Sequence, residues 1–584
     1  SAWGAKLSSR LTEKLENISP NQRVDIIVWL TQPDGWAQRR AELEQMTGEA
    51  RRRYAVQSMK DFYYRHITSV RDLVSRLAQD GKATFGKDLW GAFSFSAQAT
   101  KDAIMQISNH PDVKFIMLDE PFPHRFMLPY DPGDPFSKIE WKINNPAPAD
   151  ITKATMSNAW QITHTYVNNA WSTGYNGDGV IVAIIDTGVD YTHGDLSGVM
   201  WHNPGETPGN GVDDDGNGYV DDYYGYDFYD HDSDPMDNPS DIHHGTMCAG
   251  MVAGDGTGGW NTGAAPGARI MAIRTGDGTN FCSSSDEIDA FQYAVDNGAN
   301  VASMSYGSYP SDGVKDYYRY VIDAIFGAAG IPLIVAAGNG NSSGGHYSIP
   351  YDISTPADIP PPWYNASVSD PAGPVIAVGA TTTSDAVASF SSIGPTEWDF
   401  NSSYTSGWHD YPASSRLMKP DVAAPGDNIV TTVYGGSYVY ESGTSFACPF
   451  TAGVVALLLS KNGELTPRQI DSVLEVSATD IGSTGRDNYS GAGLINADSA
   501  LSLVSGKALA IDSTRFDDSA TGDNDANLDP GETGNVVIYL RNAGSTSMSG
   551  VNVNMTSVTN PNVTIVDGSS SYGTMAPGET KVNT

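Results

Sequence analysis

The sequence predicts an α/β protein built on a doubly wound parallel sheet, with a small α+β unit before it and a β-sandwich after it. Three patterns carry that reading. From about Ala159 to Asn496, short apolar segments alternate with small-residue helical segments, as a parallel sheet covered on both faces requires. Residues 1 to about 125 instead mix strand patterns with one long charged, helix-favouring stretch. After about Gly506 the chain turns to short alternating strands separated by turn residues, the pattern of a sandwich. At 584 residues the chain is too long for one hydrophobic core, so several units are expected.

The elements follow in order. Val24 to Leu30 reads as a strand, Ala37 to Leu77 as helix-favouring, Trp90 to Ala97 as an alternating strand, Thr100 to Asn109 as a helix and Val113 to Leu118 as a strand. Residues 126–150 are rich in Pro and Asp without periodicity and read as a linker. Within 151–505 the candidate strands are Val180 to Ile185, Ala268 to Arg274, Val301 to Ser305, Ile331 to Ala336 and Val375 to Gly379. Ligands of such sheets bind outside the carboxyl ends of the strands, where Asp186, Ser305 and Asn339 fall. In 506–584, Val536 to Leu540 and Val551 to Asn554 alternate, and the last residues lie inside a strand pattern, so this unit is expected to be incomplete.

The net charge of −35 excludes nucleic acid as a partner, since a polyanion would be repelled from nearly every face. The charge is unevenly placed: residues 1–125 hold 18 Lys+Arg against 15 Asp+Glu, and the remainder 16 against 54. A basic front is therefore suited to dock on an acidic body. The apolar run nearest to a span, Val454 to Leu459, falls far short of the roughly 18 residues that cross a bilayer, so no membrane span is expected. Three cysteines cannot form a disulfide framework. The chain opens Ser1-Ala2-Trp3 with no initiator Met and no apolar leader, and a secreted protein with its leader removed is the expectation.

Three short segments bear the chemistry: Val182-Ala183-Ile184-Ile185-Asp186-Thr187-Gly188, His243-His244-Gly245-Thr246, and Gly443-Thr444-Ser445-Phe446-Ala447-Cys448-Pro449. An Asp-Thr-Gly also occurs in aspartic proteases, so the order and setting decide. An aspartate ending an apolar strand, a histidine opening a small-residue helix and a serine opening an apolar helix are the parts of an acyl-transfer triad. A serine hydroxyl is a poor nucleophile until a base takes its proton, the role open to His244, with Asp186 holding the imidazole. Ser445 at a helix start turns its own N–H and the positive helix end toward a developing oxyanion, and Pro449 is expected in the first turn, where it costs little. Asn339, in Ala336-Ala337-Gly338-Asn339-Gly340 after an apolar strand, is the candidate second oxyanion donor.

With the Asp, His, Ser order, these motifs resemble the subtilase family of serine peptidases. Ser303-Met304-Ser305-Tyr306-Gly307 and Lys419-Pro420-Asp421-Val422-Ala423-Ala424-Pro425-Gly426 extend the likeness. The resemblance implies that Ser305, Tyr306 and Gly307 pair with an extended peptide substrate, with Ala336, Ala337 and Gly338 as the other wall of the first side-chain pocket. It also implies that residues 1–125 are an inhibitory prodomain, the enzyme's own intramolecular partner, cut off within 120–150. Phe450 and Met247 stand where the family commonly has His, and both are expected to pack inside. Cys248, one helical turn after His244, is similar to the thiol-sensitive proteinase K branch and implies inhibition by mercurials. Set against that is an inert buried thiol, and a Cys248–Cys448 disulfide is a further alternative.

Between Asp186 and His244, the run Asp213, Asp215, Asn217, Gly218 and Tyr219 places oxygens at positions one, three, five and seven with Gly at six, the spacing of a calcium loop. Position twelve is Tyr224 rather than Glu, so the geometry differs from an EF-hand; Asp222 is the remaining candidate ligand. Asp195 matches a calcium ligand of the family, though the supporting loop near Asp255 is Gly-rich. Asp517, Asp523, Asp525, Asp529 and Glu532 form another acidic cluster. The expectation is a monomeric, secreted, calcium-stabilised serine endopeptidase in proenzyme form acting on protein or peptide substrates. The alternative is a catalytically silent scaffold of the same fold serving as a surface-binding protein.

Overall fold

The computed structural model describes residues 6–121, 124–126, 157–238, 242–308, 312–340, 349–360, 374–397, 416–504, 509–517, 531, 533–542, 547–555, 564–566, 568–576 and 579–582. Its centre is a seven-stranded sheet in the order Val422–Pro425, Val375–Thr381, Leu333–Ala336, Val301–Met304, Ile181–Asp186, Arg269–Arg274, Gly225–Asp227. Every neighbouring pair is parallel. Side chains alternate faces along a strand, and the two faces of Ile181–Asp186 feed different cores. Val182 and Ile184 pack with the helices His244–Ala253 and Thr444–Lys461. Ala183 and Ile185 pack with Ser284–Asp296 and with Tyr317 to Ile322 of Asp312–Ile322. The chain leaves Ile181–Asp186 for one edge of the sheet and crosses to the other side at Val301–Met304, so the crevice opens beside Asp186 and Ser305.

All five expected strands of this sheet are present, with ends shifted by at most two residues. Two more complete it, Gly225–Asp227 and Val422–Pro425, at its two edges. The first is three residues long and the second contains a proline, which an edge position tolerates, so neither shows a strand pattern in sequence. The front unit forms a four-stranded antiparallel sheet in the order Ala83–Leu89, Ser94–Thr100, Arg23–Leu30, Val113–Leu118. The stretch expected as one helix is three, Trp36–Leu43, Gly48–His66 and Thr68–Gln79. Trp90–Ala92 is a 3-10 turn and Phe93 adopts a left-handed φ of 47°, so the strand starts at Ser94 rather than Trp90.

The front sheet shares its core with the Ser284–Asp296 face of the central unit. The Trp29 ring meets Tyr317 and Tyr320 edge-on at 6.3 and 5.0 Å. Around it the basic front meets acidic partners: Lys87 Nζ lies 2.7 Å from Asp286 and 3.0 Å from Asp289, Lys60 Nζ 2.6 Å from Asp296, and Arg40 2.9 Å from Asp323. Arg51 donates to the carbonyls of Gly327 and Ala328 at 2.8 and 3.1 Å, groups that a helix end leaves in need of donors.

The C-terminal strands form a three-stranded sheet, Leu509–Asp517, Asn535–Asn542 and Thr580–Val582, and the pair Met548–Asn554 and Ser569–Met575, around Leu540, Val551, Tyr572 and Met575. Thr444–Lys461 is 18 residues long with a mean hydropathy of 1.4, enough by length and composition to cross a membrane. It passes because Gly, Ala, Ser and Thr fill the gaps between its large apolar residues, which a search for unbroken apolar runs overlooks. Since 89% of it is buried inside the protein, it is a core helix.

Asp471, fully buried on Pro467–Ser477, has no hydrogen-bond partner on either oxygen among the described residues. Burial, with the charges of Asp421 and Glu475 adding to it, pushes its carboxyl well above the usual range. A raised carboxyl pKa means the folded chain holds a proton that the unfolded chain releases, so this contribution to stability falls as pH rises past the ordinary carboxylate range near 4. Asp471→Asn should therefore melt above the parent by about 2 °C or more at pH 9, with a smaller gap at pH 5. Calorimetry at the two pH values checks this, and an equal gap at both would show that Asp471 carries its charge in the fold.

Candidate active site

Asp186 ends its strand and His244 opens its helix, and the two meet at 2.8 Å between Oδ1 and Nδ1 with both side chains buried. The Thr187 N–H donates to the same Asp186 oxygen at 2.8 Å. The approach of helix to strand depends on glycine: a Cβ on Gly245 would stand 2.0 Å from the Gly188 carbonyl oxygen. His243, with a left-handed φ of 56°, turns the backbone into the helix, and its ring stacks on Tyr434 with centroids 5.1 Å apart.

Ser445 is the second residue of its helix, and its hydroxyl donates to the Ser305 carbonyl at 3.3 Å. Pro449 lies in the second turn, not the first, which corrects the expectation. A proline there has no N–H for the carbonyl four residues earlier, and that carbonyl belongs to Ser445. The Ser305 hydroxyl at 2.9 Å and the Cys248 thiol at 3.5 Å donate to it instead. The helix break is thus filled by two side chains from neighbouring elements, which fix the Ser445 backbone from outside its own helix.

Asn339 follows Leu333–Ala336, and its Oδ1 accepts from the Thr444 N–H at 3.0 Å and the Thr444 hydroxyl at 2.9 Å. A backbone N–H can only donate, so the amide must face Thr444 with its oxygen. Its Nδ2 is buried and has no partner among the described residues. Thr444, unremarked in the sequence except for its place before Ser445, therefore fixes the orientation of the Asn339 amide, and its hydroxyl also accepts from the Gly338 N–H at 3.2 Å.

Tyr306–Ser308 pairs antiparallel with His124–Phe126 in the register Tyr306↔Phe126, Gly307↔Arg125, Ser308↔His124. The chain's own front segment thus occupies this edge. Ala336, Ala337 and Gly338 are buried beside it, and the Ala337 peptide bonds inward to Val378 and Ser354 at 3.0 and 2.9 Å. That leaves this side as a wall rather than a second pairing edge. Beneath the edge, the Tyr306 hydroxyl reaches Glu287 at 3.2 Å. Burial pushes that carboxyl up to about 7 against the hydrogen bonds of Tyr318, Tyr306 and Tyr317.

Cys248 Sγ lies 3.7 Å from His244 Nδ1, as its spacing predicts. Burial pushes the thiol well above its ordinary range, and Cys448 likewise up to about 12. All three cysteines are unpaired, so the Cys248–Cys448 disulfide is not formed. Phe450 and Met247 are buried as expected.

In the acidic loop, ligand oxygens of Asp213, Asp215 and Glu206 gather within 4.8 Å of one another. Glu206 Oε1 accepts from the Asp214 N–H at 2.9 Å, while its buried Oε2 has no partner among the described residues, which suits a hard cation. Glu206 was missed in the sequence because it lies seven residues before the loop motif. Of the other expected ligands, Asn217 Oδ1 accepts from the Tyr219 N–H at 2.8 Å, and Asp222 is held by Tyr293 at 2.6 Å and by Asn203 and Asn217 at 3.0 and 3.1 Å. The Tyr219 hydroxyl turns away to Asp289. Asp195 stands apart, accepting from the Gly258 N–H and from the Tyr438 hydroxyl at 2.5 Å. The second acidic cluster lies outside the described residues except for Asp517, as does the linker beyond Phe126.

Fold and side chains together define an α/β protein with an Asp-His-Ser constellation at the carboxyl ends of a parallel sheet. Comparison agrees: the subtilase family model matches residues 177–493, and the chain belongs to the subtilase family. It is similar to a thermophilic serine proteinase of Bacillus sp. (strain AK1), 32% identical over 342 residues, 58% of this chain and 65% of that protein. It is also similar to a subtilisin of Bacillus pumilus, 32% identical over 56% of this chain and 93% of the relative. With bacillopeptidase F of Bacillus subtilis (strain 168) it shares 28% over 72% of this chain and 27% of the relative. The chain thus spans just under two thirds of the thermophilic relative.

With every cysteine buried and reduced, a thiol reagent added to the native full-length chain should count fewer than one thiol, and three after unfolding in urea. A count of one after unfolding would reveal a disulfide.

Proposed function

We propose that this chain is a secreted, calcium-stabilised serine endopeptidase in proenzyme form. The observation that carries the reading is the buried 2.8 Å Asp186–His244 contact beside Ser445, with the Asn339 amide donor left for a ligand. In this reading Ser445 attacks a peptide carbonyl, and His244 takes the hydroxyl proton and passes it to the leaving amine. Asp186 holds the imidazole tautomer and steadies the imidazolium. Asn339 Nδ2 and the Ser445 N–H receive the oxyanion, a pairing for which the loss of Asn339 would cost about 10²–10³ in kcat. Tyr306–Ser308 binds the substrate backbone as an added strand, and Ala336 to Gly338 line the pocket next to it.

The proenzyme reading is supported by His124–Phe126, which takes the place a substrate strand would need, and by the ion pairs that seat the front unit. The described strand ends at Phe126 opposite Tyr306, the residue after Ser305, whose carbonyl accepts from the Ser445 hydroxyl, so the next residue in sequence, Met127, is proposed to precede the cut. The bond assigned to self-cleavage is therefore Met127–Leu128. N-terminal sequencing of active material should begin at Leu128, and Ser445→Ala should stay full length and lose about 10⁴-fold or more in turnover. A start far beyond residue 128 would defeat the register argument alone; continued self-cleavage by Ser445→Ala would defeat the catalytic one.

Calcium belongs to the reading through Glu206, Asp213 and Asp215, which would hold the ion. Extracellular calcium modules bind at about 10⁻⁴–10⁻³ M, the affinity such a site would need in a secreted protein. Chelation should lower the melting temperature, and Glu206→Gln should raise the calcium concentration needed to restore it by about tenfold, one lost charged ligand at about 1.4 kcal/mol. A melting curve indifferent to chelator in both proteins would remove calcium from the proposal.

A further inference from the structure

Asp237 is fully buried and has no part in the chemistry above. It lies in a segment that closes over the end of the Asp186 strand, where the Val189 N–H donates to the Pro235 carbonyl at 2.9 Å. Its Oδ1 accepts from the Thr187 hydroxyl at 2.7 Å. Its Oδ2 accepts from the Thr246 N–H at 2.8 Å and from the Thr246 hydroxyl. Thr187 is the residue after Asp186, and Thr246 stands two residues after His244. One carboxylate therefore grips the element that carries the acid and the element that carries the base.

The donors leave Asp237 little choice of chemistry. The Thr187 oxygen already accepts from the Gly245 N–H at 2.8 Å, and the Thr246 oxygen from the Asp190 N–H at 2.8 Å. With those positions filled from outside, each hydroxyl turns its single proton to Asp237, and the third donor is a backbone N–H that cannot reverse. A carboxylate accepts all three. An amide at this position would set an N–H₂ against one of these donors, leaving a buried group unsatisfied.

We propose that Asp237 is a positioning residue for the triad, its carboxylate seating the His244 helix on the Asp186 strand so that the Asp186–His244 hydrogen bond forms. The inference rests on the catalytic reading above, but the bond it concerns can be observed without catalysis. Burial and the nearby Asp186 charge raise the Asp237 carboxyl to about 8 against the three hydrogen bonds that lower it, so the ionised form that the donors require prevails above that pH, where the test is made.

The test uses the full-length chain with Asp237→Asn, Thr246→Val and Thr246→Ser. In the Ser445→Ala background, the low-field proton resonance of the Asp186–His244 bond should be present in the parent and in Thr246→Ser, and shifted or lost in Asp237→Asn and Thr246→Val. In matured enzyme, counted by active-site titration, Asp237→Asn and Thr246→Val should lower kcat by about 10- to 100-fold, the scale of a small misplacement of a catalytic group. KM should stay within about twofold and Thr246→Ser should restore kcat. An unchanged resonance and kcat within about twofold of the parent in Asp237→Asn would overturn the proposal. If Asp237→Asn does not fold, the Val and Ser variants at 246 decide: equal kcat for the two would overturn it. A chain that cleaves nothing yet shows the expected resonance changes would defeat the catalytic reading and leave the positioning role standing.

Discussion

The Asp186–His244 hydrogen bond is the contact around which the central unit is arranged. Both groups are buried, and a polar group taken from water without its partner costs about 1–3 kcal/mol, more where it is charged. The strand end must therefore deliver the carboxylate and the helix start the imidazole to within hydrogen-bond distance. Glycine at 245 lets the two backbones touch, and glycine at 188 lets the Pro235–Met236 backbone close over the strand end. The inner core on either side of Ile181–Asp186, fed by alternate side chains, holds the strand from both faces. Ser445 reaches the same place from a third direction, held by a carbonyl that its own helix cannot satisfy.

The front unit is joined to this body by a shared apolar core and a ring of half-buried ion pairs, rather than by the strand at the site alone. Surface ion pairs are worth little singly. Here they accompany buried aromatic contacts and arginine-to-carbonyl bonds at helix ends, so the charges set where the front unit lands while apolar burial supplies most of the hold. The charge contrast between the two parts of the sequence is visible in these contacts.

Much of this was legible from residues alone, for identifiable reasons. The five inner strands are buried on both faces and read as unbroken apolar runs, whereas Gly225–Asp227 and Val422–Pro425 sit at edges and carry no such signal. The long helical stretch broke into three because Gly48 takes a left-handed φ of 57° and the chain turns again at Ile67, neither of which composition can place. Asp186, His244, Ser445 and Asn339 were legible because each stands at the end of an element. Thr444, Glu206 and Asp237 were not, since their meaning comes from partners brought close only by the fold. Pro449 was visible but misplaced by one turn, and that turn decides which carbonyl it frees.

If the chain is cut as proposed, the antiparallel pairing of His124–Phe126 with Tyr306–Ser308 changes character. While covalently joined, the segment competes for the edge at an effective concentration on the order of millimolar, whatever the amount of protein present. Severed on its far side, the segment would stay tethered to the docked front unit, and would compete at bulk concentration only once that whole unit had left the body. Inhibition that began as a property of one molecule would then become a property of the volume the molecule occupies. Dilution into a large extracellular space would itself act as the switch, and a crowded compartment would hold the same cut protein silent.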